Sequence, residues 1–396
     1  MLRIEEPQAP AAATPGTFAL WNLGFRPFYL LASVFAAASL VLWIAQYTGH
    51  LPFGYVRGPA WHGHEMLYGY TMAVIAGFLL TAVRTWTGLP TPAGAPLIAL
   101  AVLWIAGRVL MTTPFATAAA VVNAAFPMAV AVAIGIPIVR SRNRRNYFFV
   151  ALLLLLGLAV LAFHAGQTHT LPWSERASLQ VGLDVVLFVM AVMGGRVIPM
   201  FTNTGVPGAG ATRHAVLEKL ALGGALLLLA VDVVQMPDAA VAAVALAVAA
   251  FHAARLALWR PWRTLRTPIV WVLHVAYAWI VVYLVLRGLA ALGVVSGLLA
   301  VHALTVGAIG GLTIGMMTRT ARGHTGRPLV ADRAEVICYV LVAAAAAIRV
   351  LGGIAAPGAY MATVVVSGAC WSAAFALYAV RYWPVLTRPR LDGKAG

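Results

Sequence analysis

Charge is scarce in this chain. Of 396 residues, Asp, Glu, Lys and Arg together make up only 10%, and just 11 are acidic; a soluble domain carries about a quarter. There is too little polar surface to solvate a globular fold. Cysteine is scarcer still: Cys338 and Cys370 are the only two, and both fall inside apolar runs. That excludes a disulfide framework and haem attachment through CxxCH. It also leaves no Cys-x-x-x-Cys pair for a dinuclear copper centre, so any haem has to be held non-covalently. Long polar stretches are missing as well. The longest connections between apolar runs, around 48–60, 201–214 and 319–333, cannot hold a soluble domain. No internal repeat stands out, so the inverted-repeat signature of many transporters is absent by eye. The opening MLRIEEPQAPAAATPGTF is acidic and rich in Pro and Ala, unlike a cleavable signal peptide.

What is present is apolar length. Hydrophobic residues make up 62% of the chain, with runs such as VALLLLLGLAVLAF at 150–163. At about 20 apolar residues per crossing, the pattern predicts an all-α, polytopic integral membrane protein with about twelve transmembrane helices in one bundle. The expected spans are 27–47, 61–83, 94–113, 115–139, 147–166, 177–200, 215–235, 239–259, 268–287, 292–318, 334–352 and 358–380. They form one domain over 24–383, between a flexible tail at 1–23 and a basic solvated tail at 384–396. One set of loops gathers Arg84, Arg140, Arg142, Arg144, Arg145, Arg213, Arg260, Arg263, Arg266, Arg319, Arg322, Arg327 and Arg333. The opposite loops hold only the isolated Arg57, Arg176, Arg287 and Arg349. By the positive-inside rule both termini are expected in the cytoplasm. The formal charge of +16 then reports topology and contact with membrane lipid, not nucleic acid.

The histidines are the chemically informative residues. An ionisable group at bilayer depth is a functional-site hypothesis by default, and neutral imidazole is the commonest metal ligand. His252 and His274 lie in spans eight and nine, each roughly 9–10 Å from the basic side at ~1.5 Å per residue. At one depth they are candidates for one copper, or for ligating a haem from both faces; interhelical hydrogen bonds are the alternative. His302 lies about 15 Å into span ten and precedes a ladder of small residues, Ala303, Gly307, Gly311 and Gly315. Spacing of four keeps the ladder on one face, suited to close helix contact or to a flat cofactor. In WHGHEM (61–66), His62 and His64 point about 200° apart on a helix and cannot reach one ion. This is not HExxH, because Tyr68 stands where the second His belongs; the alternative is an interfacial cluster with Trp61 and Tyr68 in the aromatic belt. His50, His164, His169 and His214 read as solvated or interfacial. Arg196 and Arg255 reach depths similar to His252 and His274 and are candidates for pairing haem propionates, with snorkelling as the alternative. Asp184, Glu65 and Tyr277 are candidates for catalysis or proton movement. Pro127 and Pro199 are expected to kink or end their helices.

Five segments then point to a family: GFRPFYLLA (24–32), WHGHEM…GFLLTAV (61–83), GRVIPMFTN (195–203), LHVAYAW (273–279) and HALTVGAIGGLTIGMMTRTARGHTGRPL (302–329). With them the chain resembles the NnrS family of bacterial membrane proteins associated with nitric oxide metabolism. The resemblance runs from span one to the loop after span ten; Arg84 departs from the expected pattern, in a loop only. It implies a twelve-span protein of the bacterial inner membrane containing one or two haem b and copper. Nitric oxide would be its ligand or substrate, and quinol or a redox protein its electron donor. No ligand map comes with it. Residue type and depth nominate His252, His274, His302 and His324 for metal, and His62, His64, His302, Arg196 and Arg255 for cofactor binding. Two functions stay open: a haem–copper oxidoreductase that binds nitric oxide and reduces it, or a non-catalytic nitric oxide-binding or haem/copper-handling sensor or carrier. A proton-coupled transporter is a lesser third.

Overall fold

A computed structural model describes residues 18–51 and 54–393. Those residues form helices and no strand, as lipid demands: a helix satisfies its own backbone where water is absent. Twelve principal helices follow in order: α1 (Phe25–Tyr47), α2 (Gly58–Thr87), α3 (Ala95–Leu110), α4 (Ala116–Arg140), α5 (Tyr147–Gln167), α6 (Glu175–Gly205), α7 (Ala215–Val233), α8 (Asp238–Leu258), α9 (Pro268–Ala291), α10 (Gly297–His324), α11 (Arg333–Ala355) and α12 (Tyr360–Thr387). Each coincides with one expected span. Ten are long and apolar enough to cross a membrane. The exceptions are α3, with 16 residues, and α7, which carries Glu218, Lys219 and Asp232.

Local chemistry sets the boundaries. Gly88, at φ 68°, ends α2 in the left-handed conformation that glycine adopts without strain. Ser174 caps α6 by accepting from the Ala177 N–H, and Asp332 and Glu335 form a reciprocal capping box at the start of α11. Neither proline ends its helix: α4 runs through Pro127 and Pro137, and α6 through Pro199. In a packed membrane bundle neighbouring groups re-satisfy the backbone that a proline frees.

From α3 onward, helices adjacent in sequence pack side by side, and α12 closes against α1. The most enclosed are α2 and α6, each 78% buried over its apolar window, against 39% for α8 and α11. The small-residue ladder of α10 is filled by α9: a Cβ at Gly311 would lie 2.6 Å from the Ala276 Cβ, and one at Gly315 2.8 Å from Leu273 Cδ2. The ladder is therefore a helix contact and not a cofactor face.

The described chain ends meet. Ala19 N–H donates to the Thr387 carbonyl at 2.7 Å, and Arg26 Nη1 to the carbonyls of Leu386 and Arg388. The segment expected as a solvated tail from 384 begins as helix, up to Thr387, and then docks on the end of α10. Leu391 N–H donates to the Thr325 carbonyl and Arg390 Nη1 to that of His324, so backbone acceptors hold it in place. Most of the expected N-terminal tail, residues 1–17, lies outside the described residues.

Two helices contain a wider turn. Glu65–Thr71 in α2 and Ala303–Gly310 in α10 are π-helical. One begins directly after His64 and the other directly after His302. Such turns are rare and concentrate at functional sites.

Candidate functional site

α2 presents its two imidazoles in different directions, as helical geometry requires. His62 stacks on Trp43 of α1 with ring centroids 4.4 Å apart, near His302 of α10 and Arg349 of α11. His64, fully buried, turns instead toward α5, with its centroid 5.1 Å from that of His164. Trp61 and Tyr68 are 2% and 3% exposed, which corrects the aromatic-belt reading. They lie inside the bundle, where Tyr68 donates to the Ser178 carbonyl of α6 at 2.9 Å.

The hydrogen bonds around the His64–His164 pair fix where the lone pairs are. Glu65 Oε1 lies 2.8 Å from His64 Nδ1 and also accepts from Arg108 Nη1 at 2.7 Å. A carboxylate paired with arginine only accepts, so His64 Nδ1 carries the hydrogen and Nε2 is a bare lone pair. Arg108 is held in turn by Asn123 Oδ1 of α4. His164 Nδ1 contacts the Tyr55 hydroxyl, which also reaches Met111 Sδ at 3.9 Å. Where the tyrosyl hydrogen points to the sulfur, His164 Nδ1 donates to the tyrosyl oxygen and its Nε2 is bare as well; that is the tautomer a metal at Nε2 selects. Both Nε2 atoms are buried with no hydrogen-bond partner. An unsatisfied buried polar atom costs ~1–3 kcal/mol, and two unpartnered imidazole nitrogens on neighbouring rings suit a shared cation. Two imidazoles bound to one ion at ~2 Å bonds have centroids on the order of 5–6 Å apart, and the observed spacing falls in that range. Sequence reasoning left His164 among the solvated histidines. Its place at the outer end of an apolar run gives no sign of the face it turns to α2.

The inner pair behaves differently. The rings of His252 and His274 are linked through two aromatic rings: His252 to Tyr277 at 5.7 Å, Tyr277 to Trp259 at 4.5 Å, and Trp259 to His274 at 6.5 Å between centroids. Arg255 Nη1 donates to the Tyr277 oxygen at 2.8 Å, which directs the tyrosyl hydrogen to His252 Nδ1 at 2.7 Å. The imidazole hydrogen of His252 then sits on Nε2, beside the Ala221 backbone, and no lone pair is offered. His274 has the reverse arrangement. Thr202 gives its hydrogen to the Ile198 carbonyl at 2.8 Å and accepts from His274 Nε2 at 2.8 Å, so Nδ1 is bare, buried and unpartnered.

The remaining candidates divide by their partners. His302 Nδ1 donates to the Leu298 carbonyl at 2.8 Å, leaving Nε2 as its acceptor. Arg255 binds Glu218 through Nε and Nη2 at 2.8 and 2.7 Å and also reaches the Ala191 carbonyl and Tyr277. Four of its five donors are engaged, which leaves little for a propionate. Arg196 bonds Asn146 Oδ1 at 2.8 Å and borders a cavity. Asp184 accepts from Gln180 at 3.0 Å and lies 3.5 Å from Arg287, which also pairs with Asp232 at 2.5 Å. Tyr277 serves the Arg255–Glu218 network, and Glu65 serves His64. His324 packs on Phe25 at 5.7 Å and is faced by Arg390, Arg26 and Arg84, an environment that opposes a metal cation. Among the described residues no group of three or more His, Cys, Asp or Glu side chains is placed to hold a metal ion.

A model of the NnrS protein family matches residues 19–390. No curated protein matches the chain.

Proposed function

Because the chain belongs to the NnrS family, matched over residues 19–390, we propose that it is a metal-containing membrane protein of the nitric oxide response. The observation that carries this reading is the pair of buried, unpartnered Nε2 atoms on His64 and His164. The donor set argues for a particular ion. Zinc takes four ligands in a closed site, and no third His, Cys, Asp or Glu joins this pair among the described residues. Arg108 already neutralises Glu65, so the surroundings add no net negative charge. In such a low-dielectric site a monovalent ion costs less to desolvate than a divalent one, and soft, low-coordinate copper(I) suits two imidazoles. Bound copper supplies an open coordination position for nitric oxide. The chain's own residues do the rest: Glu65 fixes the His64 tautomer, Arg108 and Asn123 anchor Glu65, and Tyr55 orients His164.

Haem b is assigned to imidazoles at two depths: His302, with His62 beside it, whose Nδ1 is buried and unpartnered, and His274, whose Nδ1 is likewise unpartnered. All twelve helices cross the bacterial inner membrane in this reading, with the arginine-rich face and both termini in the cytoplasm. Binding of nitric oxide is favoured over its reduction. Reduction needs protons at the metal; of the proton candidates, Asp184 turns toward α7 and α9 through Arg287 and Asp232, and Glu65 is engaged by His64 and Arg108.

The test is metal and haem analysis of the purified protein, followed by addition of nitric oxide to its reduced form. We expect copper and haem in stoichiometric amounts, a nitric oxide-dependent optical change, and loss of copper in both His64→Ala and His164→Ala but not in exposed His169→Ala. Copper content unchanged in the first two variants would overturn the site. Metal-replete protein with no response to nitric oxide would overturn the function.

A further inference from the structure

A cavity of about 320 Å³ opens on the arginine-rich face. It is lined by Trp86 near the end of α2, Asn143, Arg145 and Asn146 between α4 and α5, Arg196 of α6, and Arg213 before α7. Charge around it is unbalanced. Glu218 is the one carboxylate nearby, and it already binds Arg255 through both oxygens and Arg213 at 3.0 Å. Among the described residues neither Arg145 nor Arg196 has a carboxylate partner. Three guanidiniums therefore line the cavity, and the one carboxylate paired with any of them, Glu218, is shared with Arg255. Such a concentration of like charge is unfavourable unless an anion enters.

The wall is built in advance. Asn143 donates to the Trp86 carbonyl at 3.1 Å, Asn146 donates to Asn143 Oδ1 at 3.1 Å, and Asn146 Oδ1 holds Arg196 at 2.8 Å. The chain fixes the Arg196 guanidinium above the rings of Phe148 and Phe149, at 5.7 and 5.9 Å from their centroids. Trp86 stacks on Phe149 at 5.5 Å. Trp86 is thus the aromatic member of a lining that is otherwise guanidinium and amide.

Depth identifies the source of the anion. Arg196 lies about 32 Å along α6 from Glu175 at ~1.5 Å per residue, which is the far edge of a hydrocarbon core ~30 Å thick. Lipid phosphates sit at that level, and guanidinium binds phosphate with two parallel hydrogen bonds. Basic pockets between helices on the cytoplasmic side are suited to anionic headgroups. We propose that this cavity binds the phosphate headgroup of one anionic phospholipid, clasped by Arg196 with Arg145 and Arg213 and with its apolar part against Trp86.

The full-length protein is delipidated, placed in nanodiscs of phosphatidylcholine with or without phosphatidylglycerol, and examined by native mass spectrometry and thermal unfolding. We expect one phosphatidylglycerol retained per chain and a higher Tm with it. In Arg196→Gln, retention falls roughly tenfold, the effect of losing about 1.4 kcal/mol, and the Tm gain disappears. The double variant Arg145→Gln/Arg213→Gln, altered at the exposed rim, should weaken retention too and serves if Arg196→Gln fails to fold. Inorganic phosphate added to phosphatidylcholine discs is the competing arm: an equal Tm gain there overturns the lipid and leaves a soluble phosphate as occupant. No effect of either anion overturns the site. Loss of haem from Arg196→Gln with lipid retention intact overturns it in favour of a haem carboxylate.

Discussion

Gly195 is a position where one methyl group has a large and calculable effect. A Cβ there would overlap the Arg255 guanidinium, with Cζ at 2.7 Å and Glu218 Oε2 at 2.8 Å. Arg255 is 1% exposed and has no solvent to retreat into. Gly195→Ala therefore pushes the guanidinium off Glu218, the Ala191 carbonyl and Tyr277. Breaking a buried ion pair costs ~3–5 kcal/mol. Two effects reduce that cost. Glu218 keeps Arg213, whose side chain is 46% exposed, so the carboxylate is not stranded; and alanine is favoured over glycine in a helix by roughly 0.5–1 kcal/mol. The net loss is about 2–4 kcal/mol, or a fall in Tm on the order of 2–5 °C for a domain of this size. Thermal unfolding in detergent at one scan rate measures it. The decisive comparison is a double-mutant cycle: with Arg255→Ala in place, Gly195→Ala should become nearly neutral. A cost that persists undiminished in that background would refute the steric reasoning.

Other positions give shorter predictions. Gly311→Val forces α10 off Ala276 of α9 and should destabilise by about 1–3 kcal/mol, whereas Gly223→Ala, with nothing within 4 Å of its Cβ, should leave the melting temperature unchanged or slightly higher. Glu65→Gln removes the charge that orients His64 and should weaken copper binding about 10–100-fold by competition with a copper(I) chelator; an unaltered affinity would contradict the orienting role. Asp332, outside the spans, is partly desolvated, but hydrogen bonds from Arg381 and the Glu335 N–H and the charges of Arg381 and Arg322 hold its carboxyl below the ordinary 3.8. A depressed folded value stabilises fully above the unfolded one and loses that contribution as pH falls through it. Stability should therefore decline below about pH 3.8, and Asp332→Asn should flatten part of that acid limb.

The helices were legible because apolar length and arginine punctuation are one-dimensional signals, and every expected span has its helix. The divergence of His62 and His64 followed from the helical repeat alone. Depth was weaker information than direction. His252 and His274 do lie on neighbouring helices, but depth says nothing about the rings that fill the space between them. Tyr277 and Trp259 stand between them in the chain of ring contacts. His164 failed for the opposite reason, since its depth suggested solvent while its face turned to α2. Buried Trp61 and Tyr68 show a similar limit: an aromatic residue at the end of a span looks the same in sequence whether it faces headgroups or a neighbouring helix. The docked C-terminal segment depends on backbone carbonyls, which have no residue signature.

The two π-helical turns give α2 and α10 a rotational setting that substitutions cannot supply. Each turn accommodates one residue more than the α-helix around it, and one residue corresponds to about 100° of rotation. Removing a residue such as Leu67 would let α2 close into regular α-helix. The outer segment would then swing by that angle while the arginine-rich end stayed anchored, taking His62 off Trp43 and His64 off His164 together. The same holds for His302 above the turn in α10. The three imidazoles are thus aimed by length and not by composition: a one-residue deletion inside either turn unaims the site at a stroke.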